Sequence, residues 1–239
     1  MFYIKIIRVI LNVLDNFRQK KILKFLSNRF LKDIVIFDIG AHYGETVKLF
    51  SNKFKIKEFH CFEPSPINFK VLTKNINSLN IKKKVFLHNV GIGSNNKSTF
   101  LNQTQESSSS TINDLNLDSK YLKRKMKILN IENIDQYFKK IPVKLISLDE
   151  YIKKENIKKI DLLKIDTEGF EYDVIKGMSS SSNLVKFIYF EHHYDDMIEK
   201  NYTFGDINSL LVRYGFKKIF KTKMFFRKSF EYVYENTSI

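Results

Sequence analysis

A single cysteine, Cys61, among 239 residues excludes a disulfide framework and a cysteine-based metal cluster. Its place in an apolar segment reads as a small buried side chain, and the chain is expected to fold in a reducing compartment. The apolar N-terminal segment is too short and too often broken by charge to span a bilayer. It also lacks a small-residue cleavage site, so it is not read as a signal peptide. Closely spaced glycines of the G-x-G-x-x-G kind are missing, which argues against a dinucleotide with its pyrophosphate on a helix N-terminus. No Tyr-x-x-x-Lys pair stands in a catalytic context, since Tyr151 is followed by Lys154 and Asn156 at the wrong spacings. Both absences weaken a nicotinamide oxidoreductase. Acidic residues are in deficit, 26 against 41 Lys and Arg, for a formal charge of +15. Such a field attracts polyanions, yet the excess is dispersed lysine and no stripe of interleaved arginine and aromatic residues marks a groove. Lys82-Lys83-Lys84, Lys153-Lys154 and Lys158-Lys159 sit at element ends, so nucleic acid is discounted as a partner.

What is present suffices for one α/β domain, since 43% of the residues are hydrophobic. The domain is placed over residues 34–239, with an N-terminal extension, 1–33, and an insertion, 102–141. In the extension Phe2, Ile6, Ile7, Ile10, Leu14 and Phe17 recur at helical spacing ahead of the basic run from Arg18 to Lys24. A basic amphipathic helix of this kind packs on the domain's own sheet or a second subunit in preference to an anionic membrane. The expected location is cytoplasmic, at most peripheral to the inner face of the membrane.

The most informative stretch is Phe37-Asp38-Ile39-Gly40-Ala41-His42-Tyr43-Gly44-Glu45-Thr46. Val35-Ile36-Phe37 reads as a strand buried on both faces of a parallel sheet. Gly40 and Gly44 let the chain turn and let a ligand approach before a helix opens near Gly44. The next apolar segment, Glu58 to Phe62, ends at Glu63, about twenty residues beyond Gly40, where a βαβ unit places a ribose-binding acid. An acid at the head of the loop welcomes a cationic amino-acid portion and repels a pyrophosphate, so S-adenosyl-L-methionine fits better than NAD. An ordinary strand-to-helix turn with incidental acids is the plain alternative.

Beyond Glu63, Pro64-Ser65-Pro66 opens a helix with Ser65 as N-cap and Pro66 at the first position; Pro64 and Ser65 are placed beside the cofactor. A strand over Val85 to Val90 leads into a turn from Gly91, where Asn89, Val90 and Gly91 either support an adenine ring or simply join two strands. The polar tract from Gln103 to Ser110 reads as a loop, and Leu115 to Tyr137 as weakly helical. Such an insertion covers a site or is disordered. Ser147 and Glu150 form a capping-box pattern that takes in Asp149.

The second chemical cluster, Leu162-Leu163-Lys164-Ile165-Asp166-Thr167-Glu168-Gly169-Phe170-Glu171, repeats the first: an apolar strand ends in acids and a glycine. In an open parallel sheet these strand ends converge, so Asp166 and Glu168 are expected to face the cavity of Asp38 and Glu63. A further strand, Val185 to Phe190, delivers Glu191, His192 and His193 to the same edge, and only one of the two adjacent histidines can enter. Asp166, Glu168, Glu191 and His192 offer hard metal ligands, but with no defined spacing no metal site is assigned.

Phe37 to Thr46, Phe62-Glu63-Pro64, Ser147-Leu148-Asp149 and above all Lys164 to Glu171 resemble the FkbM-type methyltransferases over approximately residues 34–215. The resemblance implies a class I methyltransferase fold, a Rossmann-like three-layer sandwich whose seven-stranded sheet is mostly parallel with one antiparallel strand. It further implies O-methylation of a hydroxyl on a small molecule or glycan, as in surface glycans or glycolipids. Carried over, Asp38, Gly40, His42, Gly44 and Thr46 fall in the cofactor loop and Glu63 on the ribose. Asp166 and Glu168 fall beside the reacting groups. His42 stands where asparagine is frequent. Methyl transfer to a weakly acidic hydroxyl benefits from a base, for which Asp166 or His192 is the candidate, with Glu168 orienting the acceptor or capping the following helix. A non-catalytic Rossmann-like module that binds nucleic acid or serves as a scaffold is the competing reading.

Overall fold

The structure, a computed structural model, describes residues 20–224 and 228–239. The helical positions from Phe2 to Phe17 lie outside the described residues. Strand β1, Ile34–Ile39, is buried at every position. Its side chains alternate between two cores: Val35, Phe37 and Ile39 face one and Ile34 and Ile36 the other. A strand that divides its apolar residues in this way belongs at the centre of a sheet covered on both faces.

Around β1 the sheet runs through β2 (Ile56–Phe62), β3 (Val85–His88), β7 (Ile160–Ile165), β8 (Val185–His193), β9 (Phe216–Lys223) and β10 (Ser229–Asn236) in the order β3-β2-β1-β7-β8-β10-β9. Strands β3, β2, β1, β7 and β8 pair in parallel, whereas β10 pairs antiparallel with both neighbours. The order reverses at β1 and β7, and a crevice opens at their carboxyl ends.

Helices α1 (Glu45–Ser51) and α2 (Pro66–Asn77) cover one face through Val47, Phe50, Leu72 and Ile76. Ser65 accepts the Asn68 N–H and Pro66 takes the first helical position. Residues 20–27, also helical, add Ile22, Leu23 and Leu26 to this core. The other face carries α5 (Leu148–Lys154), α6 (Glu171–Lys176) and α7 (Phe204–Arg213). No helix of the described residues is long and apolar enough to cross a membrane.

Three local features differ from the sequence reading. The strand placed over Val85 to Val90 ends at His88, and β4 (Gly91–Gly93) joins a second sheet, β4-β6-β5, with β5 (Lys97–Thr104) and β6 (Phe138–Ser147). Gly91 permits this, because a Cβ there would lie 2.5 Å from Leu145 Cδ2. The insertion is built around that β5–β6 ribbon and carries α3 (Lys120–Leu129) and α4 (Ile134–Tyr137). Its Leu115, Leu122, Ile131 and Tyr137 form a third core with Met197 and Ile198. Asp149, read as part of a cap, instead accepts the Ser180 and Ser181 N–H groups, while Ser147 alone caps α5 by accepting from Glu150 N.

Candidate functional site

The carboxyl ends of β1, β2 and β7 meet in a cleft of about 1070 Å³, roofed by the insertion. Gly40 has φ +84°, and a Cβ on it would stand 2.0 Å from the Asp166 carbonyl oxygen, so the crossing of two strand ends requires glycine there. The crossing is held by Gly40 N donating to Phe62 O and Asp166 N donating to Ile39 O, each at 2.9 Å. His42 follows in the left-handed region at φ +46°, a strained conformation that aims its backbone N–H at Glu63 Oε2, 2.9 Å away. Glu63 Oε1 accepts from Ser65 N, also at 2.9 Å. The Asn68 side-chain amide also donates to Oε1, at 3.5 Å, so the buried carboxylate at the end of β2 is fixed by two donors on Oε1 and one on Oε2, which retains lone-pair capacity.

Of the residues placed at the cofactor, Gly40, His42, Thr46, Glu63, Pro64, Gly91 and Asp166 line the cleft, and Glu168 joins them. Five others support the wall without forming it. Asp38 is fully buried beneath the floor, 3.4 Å from Lys164 Nζ. Gly44 makes the turn at φ +86°, against Leu72 and Ile76. Ser65 is buried as the cap of α2, Asn89 donates its amide to the carbonyls of Glu63 and Pro64, and Val90 packs on the core.

His192 requires correction. It is buried on the far side of β8 among Tyr194, Tyr202 and Phe204, with Nδ1 3.9 Å from Glu171, and does not reach the cleft. Alternation along β8 turns the next residue, His193, into the cleft instead. Glu168 does not cap α6 either. That helix has no side-chain cap, and its first residue, Glu171, accepts from Gly169 N at 2.7 Å and from the Tyr202 hydroxyl at 2.7 Å. Glu168, itself at φ +48°, meets His193 Nε2 at 3.5 Å.

The sequence profile of the methyltransferase FkbM domain matches residues 38–218, which take in both acidic strand ends and the insertion. The chain belongs to the FkbM methyltransferase family. The fold agrees with that of the methyltransferase FkbM from Methylobacillus flagellatus, at 15% identity and TM-score 0.51, with 84% of this chain and 44% of that one covered. The chain thus spans under half the length of that relative. It also matches M. capricolum TrmK in complex with S-adenosyl-homocysteine, at 10% identity and TM-score 0.51, covering 90% of this chain and 67% of that one. Magnesium protoporphyrin IX methyltransferase from Synechocystis PCC 6803, solved with bound SAM, matches at 9% identity and TM-score 0.51, covering 91% and 77%. No curated protein matches the chain.

The cleft of this FkbM-family chain holds charge under tension. Burial pushes the Glu63 carboxyl up to about 7 and the Glu168 carboxyl also to about 7, the latter against the pull of His193. Burial opposes a charged His193 ring, yet the Glu168 and Glu191 carboxylates outweigh it and lift the ring to about 10. Glu191 lies 3.5 Å from His193 Nε2, and Asp195 3.5 Å from Nδ1. Lys164 bridges Asp38 and Asp166, the latter at 3.1 Å. Among the described residues, no three His, Cys, Asp or Glu side chains are grouped so as to hold a metal ion.

The sequence reading passed over Lys164, Tyr189, Arg124 and the cleft-facing role of His193. A lysine inside a strand buried at every position was the signal for the first, because a buried ammonium requires carboxylate partners. Nothing local marked the rest, which reach the cleft from distant parts of the chain.

Proposed function

We propose that this FkbM-family methyltransferase binds S-adenosyl-L-methionine in the cleft and methylates a hydroxyl oxygen of a sugar. The observation that carries the reading is the Glu63 carboxylate, buried at the end of β2 and held from both sides by His42 N and Ser65 N. A carboxylate so fixed on the cleft wall offers an acceptor to a vicinal diol such as a ribose. The solved neighbours with S-adenosyl-homocysteine and SAM in the same fold support this donor. When bound, the donor supplies a methyl carbon activated by its sulfonium sulfur.

The chain's own groups position the acceptor and take its proton. Lys164 pairs with Asp166 at 3.1 Å at the cleft floor. Glu168, at about 7, is poised near neutrality and serves as proton acceptor for the attacking hydroxyl. Its strained turn and the His193 ring fix where it points, and orientation of this kind supplies much of the rate of an in-line displacement. The hydroxyl-bearing run Ser107 to Thr111 on the cleft wall suits a sugar acceptor.

Calorimetric titration with S-adenosyl-homocysteine, followed by transfer of labelled methyl to a panel of sugars, tests the reading. Binding that disappears in Glu63→Ala is expected. Wild-type protein with no affinity for the homocysteine product would dismiss it.

A further inference from the structure

The two sides of the cleft differ in charge. The floor carries Asp166, Glu168, Glu191 and Asp195, more acids than the two cations, Lys164 and His193, that pair with them, whereas the roof carries α3, whose ten residues include Lys120, Lys123, Arg124, Lys125 and Lys127 and no acid. Most of these cations are solvated or already matched. Lys125 pairs with Glu106 at 2.7 Å and donates to Ser109, and Lys123 pairs with Asp118 at 3.3 Å. Arg124 lines the cleft, and among the described residues no carboxylate lies within ion-pair distance of it.

An exposed helical arginine is ordinarily a solvated surface charge. Arg124 differs because the third core anchors its helix. Leu122 is buried in that core, and Lys125 ties the next turn to the serine run, so the guanidinium is presented from a braced roof. Its planar fork matches the two oxygens of a phosphate or carboxylate.

We propose that the acceptor is an anionic sugar, bearing a phosphate or a carboxylate, and that Arg124 receives that group while the sugar hydroxyl meets Glu168. This rests on the methyl-transfer reading of the same cleft. Acidic floor and cationic roof then give the acceptor one orientation, with its charged end away from the carboxylates and its hydroxyl toward the base.

The test uses the full chain saturated with S-adenosyl-homocysteine and titrated with glucose, glucuronate and glucose 1-phosphate, with binding followed by NMR. At low salt at least one charged sugar is expected to bind about tenfold or more tightly than glucose. That gap should shrink at roughly 0.5 M salt, where exposed charge is screened. The two charged sugars distinguish carboxylate from phosphate. Arg124→Gln should erase the preference while affinity for S-adenosyl-homocysteine stays within about twofold. No preference for either charged sugar, including no measurable binding of either, overturns the proposal. So does loss of S-adenosyl-homocysteine affinity in Arg124→Gln, which would place the guanidinium on the donor's own carboxylate. Wild-type protein that fails to bind S-adenosyl-homocysteine defeats the underlying reading itself, and this inference with it.

Discussion

His42 Nε2 lies 2.7 Å from Ser107 Oγ, and the Tyr43 hydroxyl reaches the same oxygen at 2.9 Å. The loop after β1 and the insertion are thereby latched together through one serine, itself in the left-handed region at φ +61°. The His42 ring has a partner that a shorter side chain would not reach from the same backbone. His42 thus serves two walls of the cleft, its N–H holding Glu63 and its ring holding the roof.

A double-mutant cycle tests the latch. His42→Ala and Ser107→Ala are each expected to weaken S-adenosyl-homocysteine binding, with a coupling energy of about 1 kcal/mol between them. Fully additive effects would show that the contact carries no binding energy.

Glu63→Gln keeps the shape of the side chain and removes its charge. Hydrogen bonds to a carboxylate exceed those to an amide, so affinity for S-adenosyl-homocysteine should fall about 10- to 100-fold by calorimetry. An unchanged affinity would remove Glu63 from the donor site.

The same carboxyl, raised to about 7 by burial, makes donor binding depend on pH. A ligand diol favours the ionised form, so affinity should rise with pH through about 7, with release of up to one proton. Calorimetry in buffers of different ionisation enthalpy reads that proton directly; a heat independent of buffer contradicts the linkage.

Stability without ligand should move the other way. Glu63 and Glu168 at about 7, Glu231 at about 8 and His193 at about 10 are all raised on folding. Each therefore holds its proton more tightly in the native than in the unfolded chain, and each contribution is lost as pH rises through the folded value. The thermal midpoint is expected to fall between pH 6.5 and 8. A midpoint that climbs across this window would contradict those shifts.

The two adjacent histidines of β8 should separate in kinetics. Glu168→Gln is expected to lower kcat about 10²- to 10³-fold with little effect on donor affinity, as for the loss of a general base. His193→Gln, which removes the group orienting Glu168, should shift the pH profile of kcat. His192→Gln should leave turnover per folded molecule nearly intact at some cost in thermal midpoint, since its ring packs in a buried aromatic cluster. Equal kinetic losses at both histidines would refute this division.

The sheet's centre and the acids at its edge are legible in the order of residues alone. The runs Val35 to Phe37 and Leu162 to Ile165 could be stable only where both faces are covered, and the glycines beside them allow a sharp turn in any tertiary setting. These are local requirements of burial and backbone geometry, and they are written residue by residue. Which side chains share the cleft is set by how the segments pack. Whether His192 or His193 faces inward depends on the register of β8 against β7 and β10. Whether Glu168 caps a helix or meets a histidine depends on β8 bringing His193 beside the turn after β7. Arg124, Ser107 and His42 line one cleft because the insertion, anchored by the third core on Met197 and Ile198, lies over it. Such contacts are set by packing between segments far apart in the chain, which no local pattern records.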